Sequence, residues 1–190
     1  MTTEEFNVNK VIDISEEEID NWESMSLEEI QAFLETQKRG SGKYHISTYK
    51  NKRGQSIAEL IHLSARYWNI NPKILLATLQ KESSLVTQSF DSSRRFFYLL
   101  DRAFGFGILD SGKTYTLYKG FDMQVFFAAR LFRKYIDKYR KIKGNSIMMK
   151  VDYLQTVVRP ENSLTYALYT YTPHTSAQKL FKQVWEMFNF

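Results

Sequence analysis

The chain has 190 residues, of which 43% are hydrophobic and 15% aromatic, and its formal net charge is +5. This length and hydrophobic content allow one full hydrophobic core, and the absence of cysteine excludes disulfides, thiolate catalysis and cysteine-based metal sites. No apolar run approaches the ~18 residues that a membrane-spanning helix needs. The positive charge favours an anionic partner such as a cell-wall polymer, a nucleic acid or a membrane surface, and the alternative is a solvated basic surface without a partner.

Residues 1–24 contain a run of acidic side chains around a few apolar ones. We expect a loosely attached leader with one short helix, followed by a single domain over residues 25–190. The N-terminus lacks the apolar core of a signal peptide. Either a signal has been removed or the protein leaves the cell by another route, including release by phage or by lysis.

Three helix starts are marked by capping residues. Ser26-Leu-Glu-Glu29 and Ser56-Ile-Ala-Glu59 are capping-box patterns, in which the serine and the glutamate each bond the other's backbone amide. Asn71 followed by Pro72 is a third start, because proline at the first helical position loses no hydrogen bond. The pattern predicts that the second and third of these helices form a packed hairpin.

Further helices are expected after residue 88. They are a short helix capped by Ser92 or Ser93, a long helix over about 121–140, and helices over about 147–158, from Asn162 to before Pro173, and from about Thr175. Residues 110–120 have the composition of a small β-ribbon. The expected fold is an all-α, orthogonal bundle of seven or eight helices.

Glu82 is the first candidate for chemistry. It lies on the same helical stripe as Leu75, Leu79 and Val86, and Lys81 is expected to point elsewhere. A carboxylate among aliphatic side chains loses hydration when ionised, which predicts a raised pKa. Such a group is either paired structurally or kept as a general acid.

Other kinds of site are less well supported. His45, His62 and His174 lack the spacing of metal ligands, so we expect no metal and no cofactor. Arg94 and Arg95 beside two phenylalanines are compatible with nucleic-acid contact, but the pattern fits an amphipathic helix better. Single-acid cleavage of a glycoside suits the chain more closely, because the tyrosine-rich segment 166–174 offers stacking surfaces and hydroxyl donors.

Several segments resemble the lysozyme-like superfamily of lytic transglycosylases and goose-type lysozymes, and in particular a bacterial branch of surface and cell-wall proteins. ILLATLQKESSL (74–85) is similar to the catalytic helix, where a glutamate followed by a serine ends the helix. GFGILD (105–110), GFDMQ (120–124) and ALYTYTPH (167–174) resemble three later motifs in the same order. The resemblance covers about residues 24–175 and implies a lysozyme-like fold.

The resemblance implies that Glu82 is the general acid/base that cleaves peptidoglycan between N-acetylmuramic acid and N-acetylglucosamine. Asp110 replaces the family's glutamine and is a second candidate carboxylate, which would position water and turn the reaction into hydrolysis. The implied protein is a monomer that is extracytoplasmic or associated with the cell wall. The implied substrate-binding residues are Ser83, Gly105, Phe106, Gly107, Ile108, Gln124, Tyr169, Tyr171 and His174.

Two other hypotheses remain open at this point. One is a non-catalytic glycan-binding or adhesion module that keeps the same fold. The other is a basic, helical nucleic-acid-binding domain, whose affinity would depend on phosphate contacts.

Overall fold

Helices dominate the computed structural model, which describes residues 6–108, 112, 114–142 and 147–190. The described residues contain eight α-helices and one two-stranded antiparallel sheet. The elements are α1 (Glu16–Asp20), α2 (Leu27–Thr36), α3 (Ile57–Trp68), α4 (Pro72–Ser83), α5 (Ser93–Leu100), α6 (Phe121–Lys141), β1 (Met149–Val151), β2 (Thr156–Val158), α7 (Ser163–Tyr171) and α8 (Thr175–Phe188). The prediction of a mainly helical protein is confirmed, whereas the orthogonal, lysozyme-like arrangement stays a prediction.

The capping residues read from the sequence are in place. The side chain of Glu29 accepts from the backbone of Ser26 at 2.7 Å, and the Ser26 hydroxyl accepts from the backbone of Glu29 at 3.2 Å. Ser56 and Glu59 form the same reciprocal pair at the start of α3. None of the described helices is both long enough and apolar enough to cross a lipid bilayer.

The chain divides into two compact units, here called the central unit (residues 21–130) and the terminal unit (residues 1–20 and 131–190). In the central unit α3 and α4 form the expected hairpin, because Asn69 adopts a left-handed conformation with φ of 51° and ends α3. The side chain of Asn71 caps α4 and also accepts a hydrogen bond from the Ser24 hydroxyl at 2.7 Å. Helix α4 is almost wholly buried up to Leu79, which makes it a rigid support for its last turn.

Residues 6–20 are not loosely attached, in contrast to the expectation for a leader. Within the terminal unit, the backbone N–H of Val11 donates to the hydroxyl of Thr165 at 3.0 Å. The side chain of Arg140 forms ion pairs with Glu16 and Asp20, both at 2.7 Å. Burial opposes ionisation of Glu16, but its hydrogen bonds with Ser163 and Arg140 hold its pKa below the ordinary value.

The helix expected over 147–158 is wrong, because this stretch is a β-hairpin in which Met149 pairs with Val158 and Val151 with Thr156. Asp152, Tyr153 and Leu154 form the turn with φ of 51°, 55° and 72°. The β-branched residues on both sides of the turn favour strands. The apolar residues whose spacing resembled a helix stripe lie at the ends of the two strands and in the exposed turn.

The expected β-ribbon over residues 110–120 is also wrong where the structure describes it. Ile108 and Thr114 form a single antiparallel bridge, and Thr116–Tyr118 is a short 3-10 helix. Residues 109–111 and 113 lie outside the described part of the chain.

Candidate active site

Glu82 lies in the last turn of α4, immediately before the residue that ends the helix. Ser84 has φ of 57° and its backbone N–H donates to the carbonyl of Gln80, so the chain leaves the helix there. The Glu82 side chain is 24% exposed. The carboxylate is therefore fixed in position by a buried helix while water and ligands still reach it.

Lys81 is the direct partner of Glu82. The Lys81 ammonium lies 2.6 Å from Glu82 Oε1, and the lysine side chain is only 4% exposed. Both expectations from the helical stripe are thus wrong: Lys81 does not point away, and the Glu82 carboxylate is not isolated among aliphatic groups. Sequence spacing gave no signal for this pair, because adjacent residues on a helix do not normally face each other.

Gly105 brings the glycine loop against the same carboxylate. A Cβ atom placed on Gly105 would lie 3.5 Å from Glu82 Oε2, which is ordinary van der Waals contact. Glycine is favoured there because the backbone has φ of 71°. The structure therefore brings together Glu82 and Gly105, which are 23 positions apart in the sequence.

Gln124 holds this loop in place from the first turn of α6. Its side-chain oxygen accepts from the backbone N–H groups of Phe104 and Phe106, both at 3.2 Å. Its side-chain nitrogen donates to the carbonyls of Phe106 at 2.8 Å and Tyr118 at 2.7 Å. Gln124 is completely buried, so it positions the loop, and the substrate contact that the resemblance implied stays a prediction.

Aromatic rings cover the other side of the loop. The ring of Phe106 packs edge-on to Tyr118 at 4.8 Å and stacks on Phe127 at 5.5 Å. A Cβ on Gly107 would come within 2.2 Å of the Tyr118 ring. Gly107 is therefore required by close packing and Phe106 is half-buried in the cluster, while Ile108 is 40% exposed.

Two further candidates are settled only in part. The Ser83 hydroxyl donates to the carbonyl of Leu79 at 2.8 Å, within its own helix, and its predicted substrate contact stays a prediction. Asp110 lies outside the described residues, and its predicted role as a second carboxylate stays a prediction.

The remaining three candidates belong to the terminal unit. Tyr169 is fully buried, and burial raises the pKa of its phenol, so the hydroxyl stays protonated. Tyr171 stacks on Phe132 with ring centroids 5.1 Å apart. His174 lies 3.8 Å from the Asp152 carboxylate, and its ring also packs against Tyr153 at the hairpin turn. These contacts pack Tyr171 and His174 within their own unit, and the substrate-binding roles implied for the three residues stay predictions.

His45 is a buried group that spacing alone did not single out. Its Nε2–H donates to the carbonyl of Val86 at 3.0 Å, and its Nδ1 accepts from the backbone of Ser47 at 3.2 Å. Burial lowers its pKa, so the imidazole is neutral. His45 thus anchors the segment that follows α4. Across the described residues, no group of three or more histidine, aspartate or glutamate side chains is arranged to hold a metal.

Comparison with known proteins assigns a family. Residues 13–189 match the family model described as LasA, N-terminal domain. The chain belongs to the LasA N-terminal domain family. Neither a curated protein nor a solved structure matches it.

The match to the LasA N-terminal domain family includes Glu82, Lys81, the glycine loop and Gln124. It names neither a lysozyme nor a transglycosylase. The resemblance to the lysozyme-like superfamily therefore stays a prediction that the family assignment does not support.

Proposed function

We propose that this LasA N-terminal domain protein cleaves the glycan strand of peptidoglycan, with Glu82 as the proton-exchanging residue. The observation that carries the proposal is the position of the Glu82 carboxylate at the end of a buried helix, facing Gly105, where a Cβ atom would lie 3.5 Å from Oε2. A reactive carboxyl group needs a fixed position, partial access and a neighbouring backbone that leaves room for substrate. Glu82 meets the first two conditions, and the side-chain-free Gly105 meets the third.

The reaction uses one carboxyl group in two steps. The protonated group first donates to the glycosidic oxygen between N-acetylmuramic acid and N-acetylglucosamine, and the bond to the leaving sugar breaks. The carboxylate then accepts the proton of the attacking hydroxyl. In the lytic reaction this is the muramoyl 6-hydroxyl, which closes a 1,6-anhydro ring, so no second protein carboxylate is required.

The Lys81 ammonium lies 2.6 Å from Glu82 Oε1, so it fixes the orientation of the carboxyl group that donates in the first step and accepts in the second. Lys81 is thus a positioning residue for the proposed reaction.

Mass spectrometry of products released from purified sacculi tests the proposal. Wild-type protein is expected to release muropeptides and Glu82→Gln to release none. Anhydro-muramoyl ends indicate the lytic reaction, and reducing muramoyl ends indicate hydrolysis. Equal release by wild type and Glu82→Gln would exclude Glu82 as the catalytic residue.

The Lys81 pair also favours a second candidate, a glycan-binding or adhesion module without catalysis. A carboxylate that an ammonium holds in place at 2.6 Å is a well-positioned hydrogen-bond acceptor for sugar hydroxyls. This candidate predicts that wild-type protein sediments with sacculi while no soluble muropeptide appears.

A further inference from the structure

A second concave surface lies in the central unit, here called the basic groove. It has a volume of about 720 Å³. Four cationic side chains line it: Lys50, Lys52, Arg53 and Lys119. Among the described residues none of these four forms an ion pair with a carboxylate. The groove thus presents cations whose charge is available to a ligand.

The loop that carries three of these cations is ordered by its own hydrogen bonds. The Asn51 side chain accepts from the backbone of Arg53 at 2.9 Å and from the backbone of Gln55 at 3.0 Å. The backbone of Asn51 donates to the carbonyl of Gln55 at 2.9 Å, and Lys50 pairs with Ser56 in an antiparallel bridge. The cations are therefore held on a tight turn, which lowers the entropy lost on binding.

Two carboxylates, Asp101 and Asp122, also line the groove, so the net charge of its walls is +2. Burial, together with these two carboxylates, raises the pKa of Tyr49, whose side chain is part of the same wall. The Tyr49 phenol is thus a neutral hydroxyl donor. Cations combined with a hydroxyl donor and the half-exposed ring of Phe97 suit an anionic ligand that carries some apolar surface.

The basic groove is connected to the Glu82 site through one aromatic contact. Phe121 lines the groove, and its ring packs on Phe104 with centroids 6.0 Å apart. Phe104 directly precedes Gly105, where a Cβ atom would lie 3.5 Å from Glu82 Oε2. The bond from Gln124 to the Tyr118 carbonyl also fixes the residue before Lys119. The groove wall at Phe121 and the loop beside Glu82, which Gln124 holds, are therefore both fixed to the first turn of α6.

From this placement we infer that the basic groove binds the carboxylates of the peptide stems on the strand whose glycan lies at Glu82. The inference rests on the proposed function, because it takes peptidoglycan as the polymer. It goes further in assigning recognition of the substrate's charged peptide part to Lys50, Lys52, Arg53 and Lys119, with Tyr49 as a donor.

Binding measurements with the Glu82→Gln protein test the inference, since this variant leaves the strands intact. The probes are soluble peptidoglycan strands and the same strands after their stem carboxylates have been converted to amides. We expect the native strands to bind about tenfold more tightly, the effect of roughly one charge-assisted contact. Lys52→Gln/Arg53→Gln and, separately, Lys119→Gln are expected to reduce this preference.

The matched control is Lys150→Gln/Arg159→Gln, which removes the same two charges from the exposed hairpin of the terminal unit and is expected to keep the preference. Equal affinity of the Glu82→Gln protein for native and amidated strands would overturn the inference. A preference for native strands that survives both groove variants would also overturn the inference. So would a preference that follows the phosphate content of the strands. Failure of the proposed cleavage appears separately, as a lack of muropeptide release by wild-type protein.

Discussion

The ammonium of Lys81 lies 2.6 Å from the carboxylate of Glu82, although the two residues are neighbours in one helix. The lysine side chain is 4% exposed and the glutamate side chain 24% exposed. Water therefore reaches the carboxylate far more easily than the ammonium. This asymmetry predicts which half of the pair is more costly to remove.

Replacing Glu82 by leucine is expected to destabilise the protein more than replacing Lys81 by methionine. Glu82→Leu removes a carboxylate 2.6 Å from the ammonium of a side chain that is 4% exposed, and loss of such a close charge-assisted bond costs about 1.5–3 kcal/mol. Lys81→Met leaves a carboxylate that water hydrates, and we expect a loss of about 1 kcal/mol. Urea unfolding followed by circular dichroism measures both free energies of unfolding. A larger loss for Lys81→Met would show that the carboxylate is the poorly hydrated partner.

Gln124→Leu is expected to disorder the glycine loop. The substitution removes four hydrogen bonds to the backbone of Phe104, Phe106 and Tyr118. Buried backbone groups left without partners cost about 1–3 kcal/mol each, so we expect a total loss of at least about 3 kcal/mol. Muropeptide release is expected to fall as well, because Gly105 no longer has a fixed position.

Gln88→Leu is the control for this experiment, since Gln88 belongs to the same unit and its side chain is exposed. It is expected to change the free energy of unfolding by less than about 0.5 kcal/mol. Similar effects of the two substitutions would contradict the positioning role of Gln124.

Gly107→Ala and Gly54→Ala form a second matched pair. Both glycines have positive φ, 68° and 79° respectively. A Cβ on Gly54 meets no atom within 4 Å, whereas one on Gly107 would lie 2.2 Å from the Tyr118 ring. We expect about 1 kcal/mol of destabilisation for Gly54→Ala from backbone strain alone, and at least about 2 kcal/mol for Gly107→Ala, where overpacking is added. Thermal unfolding of the two variants provides the comparison, and equal shifts would exclude the aromatic contact as the cause.

The buried His45 predicts a loss of stability in mild acid. Burial lowers its pKa from 6.5, so below about pH 6.5 the unfolded chain binds a proton that the folded protein does not. The contribution of His45 to the free energy of unfolding is therefore full above pH 6.5 and falls as the pH decreases towards the folded-state pKa. Urea unfolding between about pH 7.5 and 5.5 measures this pH dependence. The range extends about one unit on each side of the ordinary histidine pKa of 6.5. His45→Gln should flatten this dependence, and an unchanged slope would assign it to another group.

The hairpin turn predicts a stabilising substitution. Leu154 has φ of 72° and its side chain is 71% exposed, so it bears left-handed strain with little compensating burial. Leu154→Gly is expected to raise the free energy of unfolding by about 1 kcal/mol. Leu180→Gly, at a comparably apolar surface position inside α8, is expected to lower it by about 1 kcal/mol. Destabilisation by both substitutions would mean that the Leu154 side chain contributes packing.

Local signals in the sequence were enough to place most helices. The Ser26 and Ser56 capping boxes, the Asn71-Pro72 start and the Asn162 cap act through hydrogen bonds between residues at most three positions apart. The partners in such contacts lie within one short stretch of sequence, so the residue types alone predict them. The structure contains each of these caps. The stretch 147–158 was misassigned because its apolar spacing fits a helix stripe and the ends of two short strands equally well.

The candidate site was predictable only in part, because its contacts join residues that are far apart in the sequence. A glutamate near the end of α4 and a glycine-rich loop after it are visible in the sequence, and their contact through Gly105 is a product of tertiary packing. The side-chain hydrogen bonds of Gln124 join residues up to 20 positions apart, whereas the sequence pattern suggested that Gln124 contacts a ligand. The partner of Glu82 is decided by burial of Lys81, which depends on the atoms surrounding the last turn of α4. Sequence alone thus indicated which residues are candidates for chemistry, and tertiary structure decided which of them meet and which are exposed, because those contacts join residues far apart in the chain.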